Sequence, residues 1–108
     1  MFFSRATGIT IALATLSTPI LANDVNVYSY RQPTLVKPLF DAFTAKTGIN
    51  VNVQFLNKGM VEKLLAEGDR SPADVVLTVD ISRLASVVNA GVTQPVTSDI
   101  LNANIPTE

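Results

Sequence analysis

The chain has 108 residues, with 8 Lys or Arg, 9 Asp or Glu, no cysteine and no histidine. Such a balance has no basic stripe for nucleic acid and no polybasic patch for a membrane surface. Disulfides, thiolate zinc sites, a cysteine-linked lipid anchor, His-dependent triads and imidazole ligands are excluded, so a metal site here would use oxygen donors.

Residues 1–22 have the layout of a secretory signal. Arg5 supplies the basic start, Gly8–Leu16 a short apolar run, Ser17-Thr18-Pro19 a break, and Ala22 the expected cleavage position. The run is shorter than the roughly 20 apolar residues that a transmembrane helix needs. Residues 23–108 are then an exported, soluble mature chain long enough for one small domain.

Val25–Ser29 reads as a strand, and Pro33–Thr47 as a helix with Leu35, Val36, Leu39, Phe40 and Phe43 on its inner face. Pro38 is expected to loosen the first turn, and Gly48 to close the helix in the left-handed conformation. Ile49–Phe55 alternates apolar and polar residues, as a half-exposed edge strand does. Gly59–Glu67 is a second helix, with Met60, Val61, Leu64 and Leu65 inward, followed by a turn at Asp69–Pro72. Ala73–Val79 carries an apolar run suited to a strand covered on both faces. Asp80–Ala90 is a third helix with Ile81, Leu84, Ala85 and Val88 inward, stopped by Gly91. Ser98 is placed to cap a short helix over Asp99–Ala103.

This βαβαβα order predicts an α/β fold, a doubly wound parallel sheet in strand order 2-1-3. Its switch point lies beyond the carboxyl ends of the first and third strands, where ligands bind in such sheets. Ser29–Gln32 and Thr78–Asp80 border that crevice, and two helices begin there with free N–H groups that favour anions. Tyr30, Arg31 and Gln32 offer a phenol, a guanidinium fork and an amide in succession, a set fitted to an anion or an oxygen-rich ligand. Tyr28 reads as a packing residue with its hydroxyl at the rim, and Asp80 as an N-cap.

Val27-Tyr28-Ser29-Tyr30-Arg31-Gln32-Pro33 resembles the opening strand and ligand loop of bacterial periplasmic ferric-iron-binding proteins, the receptors of iron ABC transporters. Phe40-Asp41-Ala42-Phe43 with Thr47-Gly48-Ile49, and Glu67-Gly68 with Ser71-Pro72-Ala73-Asp74-Val75, are similar to later segments of the same family. The resemblance covers Asn26–Glu108. It implies the first part of lobe 1 of a type II periplasmic binding protein, with residues 23–108 a partial N-terminal lobe. It further implies ferric iron, bound between two lobes by tyrosine phenolates, with an anion such as carbonate held by arginine. By that likeness Tyr30, Arg31 and Gln32 line the site, with Arg31 on the anion and Tyr30 a candidate oxygen donor to the metal; Asp80 is a candidate by proximity. Gln32 stands where many members have histidine, and Pro33 where some have tyrosine. The paired tyrosines of the family belong to its second lobe, beyond this sequence, so iron is expected only in the complete protein. The expected partner is an inner-membrane ABC permease, and the complete receptor is expected to be a periplasmic monomer.

Two other readings compete with iron import. One is a type II receptor for another anion or an organic solute, suggested by Gln32 and Pro33. The other is a receiver-like signalling domain with Asp80 after the third strand; it lacks the acidic pair that would bind magnesium, and the leader would export it. An enzyme is not expected, since no glycine-rich phosphate loop follows the first strand and the usual nucleophile–base sets are missing.

Overall fold

The computed structural model describes residues 24–107. The expected export signal, residues 1–22, lies outside them. In chain order the elements are β1 (Val25–Ser29), α1 (Pro33–Thr47), β2 (Val51–Phe55), α2 (Met60–Glu67), a 3-10 turn (Gly68–Arg70), β3 (Val75–Leu77), α3 (Ile81–Asn89) and α4 (Asp99–Asn104). None of these helices is long and apolar enough to cross a membrane.

The three strands form one parallel sheet in the order β2-β1-β3. Val25 pairs with Val51 and Ser29 with Phe55 on one side of β1, and Val27 pairs with Val75 and Ser29 with Leu77 on the other. The expected order therefore holds, with β1 central. Gly48 ends α1 at φ 74° and donates its N–H to Thr44 O, a conformation that costs glycine nothing sterically. α1 runs unbroken through Pro38. The Ser98 hydroxyl caps α4 by accepting the Leu101 N–H.

The core is small. Tyr28, Met60, Leu64 and Val87 form its buried cluster, so β1 meets α2 and α3 on one face of the sheet. Val27, which alternation turns to the other face, and Val36 of α1 are buried apart from that cluster.

The helical faces differ from expectation. Of the five α1 residues expected inward, Val36 alone is buried, while Leu35 and Leu39 are 64% and 65% exposed. In α3 the buried residue is Val87, and Ile81, Leu84 and Val88 are exposed. Leu65 of α2 is exposed as well. The reason is a lack of neighbours. α3 packs on α2 through Val87, and its Leu84 and Val88 line an open groove of about 900 Å³ with Leu65, Val75 and Val96, while Ile81 lies outside it. β3 is also shorter than its apolar run, and it lies at a sheet edge of the described residues with Val75 half exposed. An apolar run marks a strand that wants cover on both faces; it does not supply the cover.

Tyr28 carries the one polar group inside the core cluster. Its hydroxyl proton is shared between Glu67 Oε1 and Oε2 at 2.9 and 2.8 Å. Ser71 Oγ donates to Glu67 Oε1 at 3.2 Å, Lys63 Nζ lies 3.7 Å from Glu67 Oε2, and the same ammonium sits 5.4 Å from the Tyr28 ring centroid. Burial first, then the hydrogen bond and negative charge of Glu67, raise the Tyr28 phenol above its ordinary value.

Two outcomes are expected from this fold. The open groove and the β3 edge should make the chain self-associate and melt broadly, and Val75→Lys should reduce the association in sedimentation velocity. A sharply melting monomer in circular dichroism would contradict this. The second concerns Tyr28→Phe, which should cost about 1 kcal/mol in urea unfolding at neutral pH. The folded phenol holds its proton more tightly than the unfolded one, so its contribution is complete below about pH 10 and fades as pH rises through the folded-state value. The gap between parent and variant should narrow accordingly; a gap constant across that range would refute the assignment.

Candidate functional site

The carboxyl ends of the strands converge on a compact set of loops. Tyr30 N–H donates to Leu77 O at 2.9 Å, and Leu56 N–H donates to Ser29 O at 2.9 Å, so all three strands are tied at that end. Ser29 is fully buried and shapes the first loop itself. Its hydroxyl accepts the Arg31 N–H at 2.9 Å and donates to Arg31 O at 2.8 Å. This local clasp turns the chain sharply out of β1.

Arg31 and Gln32 are thereby exposed beyond the carboxyl end of β1. Among the described residues, Arg31 forms no ion pair. Gln32 occupies the N-cap position of α1 in extended conformation, and its side chain makes no capping hydrogen bond. No acidic residue lies in the first turn of α1. The start of α1 therefore keeps its partial positive charge beside the Arg31 guanidinium, and both favour an anion.

Tyr30 is placed differently. It is half buried against the core cluster, and its Oη accepts the Met60 N–H at 3.3 Å, the first residue of α2. The guanidinium of Arg83 lies over its ring, 4.7 Å from the centroid. Asp80 is the N-cap of α3, as its position after the third strand suggests: its Oδ1 accepts the Arg83 N–H at 2.8 Å. Its Oδ2 lies 3.7 Å from Arg83 Nε. Arg83 thus links Tyr30 and Asp80 from the two loops. Sequence reasoning passed over Arg83; the one local signal is its position three residues after a capping Asp, with no hint of the tyrosine.

Among the described residues no three Asp or Glu side chains come together as a cation site. These loops and helix starts carry the Arg31 guanidinium beside the start of α1, and the Arg83 guanidinium between the Asp80 carboxylate and the Tyr30 ring.

The chain is 42% identical over 90 residues to iron uptake protein A1 of Synechocystis sp., a match covering 82% of this chain and 25% of that protein. Among solved structures it is similar to the open form of ferric iron-binding protein A from Mannheimia haemolytica, with a TM-score of 0.76 and 54% identity over 79% of this chain and 27% of that one. It is also similar to the Trichodesmium protein (IdiA, FutA) in complex with iron and citrate, with a TM-score of 0.68 and 42% identity over 76% of this chain and 26% of that one. The chain spans about a quarter of the length of each of these relatives. The family model for bacterial extracellular solute-binding proteins matches residues 28–108. With the parallel 2-1-3 sheet and this match over most of its length, the chain belongs to the bacterial extracellular solute-binding proteins.

Proposed function

We propose that residues 23–108 are the N-terminal part of the first lobe of a periplasmic receptor that carries ferric iron to an ABC permease, and that the chain is a binding component and not an enzyme. The observation that carries this reading is the Ser29–Gln32 loop. It presents Arg31, which forms no ion pair among the described residues, and Gln32, whose side chain makes no capping hydrogen bond, at the positive start of α1. The names of the relatives supply the metal: an iron uptake protein in Synechocystis sp. and ferric iron-binding proteins in Mannheimia haemolytica and Neisseria gonorrhoeae.

Ferric iron is a hard cation and prefers oxygen donors, which suits a sequence without cysteine or histidine. The residues of this lobe serve the anion that accompanies it. Arg31 holds a carbonate-like oxyanion through its planar fork, and Gln32 donates an amide N–H to it. Tyr30 frames the site, with its Oη on the start of α2. Asp80 holds Arg83 and caps α3, which keeps a carboxylate from facing the anion alone. The phenolates that complete the iron sphere belong to the second lobe of the family. Residues 1–22, as an export signal, put the receptor in the periplasm.

A receptor for a different oxygen-rich anion is the second reading. It draws on Gln32 in the family's histidine position and on the citrate in the Trichodesmium complex.

The chain by itself is expected to bind ferric iron weakly. Fused to the second-lobe sequence of the Mannheimia relative, it should bind tightly and develop a visible phenolate-to-iron absorption band. Arg31→Gln in that fusion should weaken carbonate-dependent loading by about tenfold or more, as loss of a charge-assisted contact does. A correctly folded fusion that shows no band, and binds citrate without iron by calorimetry, would replace iron with the second reading.

A further inference from the structure

Arg83 lies outside the Tyr30–Gln32 loop, yet its side chain is the one that touches it from α3. Three contacts converge on Tyr30: its N–H on Leu77 O, its Oη on Met60 N–H, and the Arg83 guanidinium over its ring. The first two fix the residue to β3 and α2. The third fixes it to α3, because Arg83 is itself held at Asp80. Arg31 and Gln32 follow Tyr30 directly, so a ring held on three sides adds to the Ser29 clasp in fixing the chain that carries them.

We infer that Arg83 is a positioning residue of the anion site, clamping the Tyr30 ring so that Arg31 and Gln32 face the crevice as a preorganised pair. This inference rests on the anion-receptor reading above. A guanidinium suits the task because it is flat, stacks on an aromatic face and keeps its donors free at the edge. The same cation adds positive charge beside the start of α3, so the clamp and the ligand field share one group. The side chain is about half exposed, and a stack of this kind is worth roughly a two- to fivefold change in an equilibrium constant.

The test uses the full chain labelled with ¹⁵N, with sodium bicarbonate as the probe. Tyrosine is a clean reporter, since the sequence has 2 Tyr and no Trp. Arg83→Met keeps an apolar stem over the ring and removes the cation. It should leave the far-ultraviolet circular dichroism unchanged, shift the Tyr30 ring protons but not those of Tyr28, and weaken the bicarbonate response of the Arg31 and Gln32 amides by roughly two- to fivefold. Arg83→Lys should recover part of both effects, because an ammonium also attracts the ring face. The inference is overturned if Arg83→Met leaves the Tyr30 ring and the bicarbonate response as they were. It is equally overturned if the response weakens while the Tyr30 ring stays in place, since charge loss alone would then account for it. If the parent chain gives no bicarbonate response, the receptor reading fails on that count; the Tyr30 ring shifts in the two variants still decide the clamp.

Discussion

Two phenols, Tyr28 in β1 and Tyr30 just past its end, hold both ends of α2. Tyr28 Oη donates to Glu67, the last residue of the helix, and Tyr30 Oη accepts from Met60 N–H, the first. Residues two apart in a strand are separated by about 6.7 Å. An eight-residue helix is about 12 Å long, so the side chains must splay to reach its ends. This antiparallel bracket seats Met60 and Leu64 on β1 and brings Val87 of α3 against them. The crossover between β2 and β3 is thereby pinned to the central strand. With so few residues fully buried, a directional tie at each end of α2 adds definition that apolar area alone would not provide.

The two phenols meet opposite surroundings. Tyr28 is buried beside a carboxylate that accepts its proton, and its proton is held more tightly for it. Tyr30 meets a helix start and a guanidinium, and lies nearer the solvent. Three consecutive residues therefore divide the work: Tyr28 serves the core, Ser29 turns the chain, and Tyr30 ties the first loop to α2 and α3. The separation follows from strand direction. In a parallel sheet the amino ends of the crossover helices gather beyond the carboxyl ends of the strands. Positive partial charge and the Arg31 and Arg83 side chains lie at that end, and the Glu67 carboxylate is left at the far end of α2 with Lys63 beside it.

Much of this arrangement was legible in local patterns. The bounds of β1 and α1, the left-handed Gly48, the N-cap roles of Asp80 and Ser98 and the central position of β1 all depend on a few neighbouring residues or on crossover handedness. The buried faces of α1 and α3 were not legible to the same degree. Periodicity identifies an apolar stripe, but which part of the stripe is buried depends on what packs there. Leu35, Leu39, Leu84 and Val88 lie on their stripes and are exposed because no described element covers them. The Arg83–Tyr30 stack was invisible for a different reason. The two residues are far apart in sequence, and a basic residue in the first turn of a helix reads as an unremarkable solvated charge.

The same reasoning links the exposed faces to the crevice. The groove beside β3 and the anion loop lie along one sheet but obey different physics. The groove combines apolar side chains such as Leu84, Val88 and Val96 with polar ones such as Asp69, Asp74 and Gln94, and burial of its apolar part against a complementary surface would stabilise it in proportion to area. The loop is polar, and its worth depends on angles and on a fixed set of donors. Covering the groove would hold β3 and α3 in place, and with them the Leu77 carbonyl and Arg83 that fix Tyr30. On the proposed reading, affinity at the Arg31–Gln32 loop is coupled to packing on a surface away from it: whatever orders α3 against β3 also orders the proposed clamp, and through it that pair.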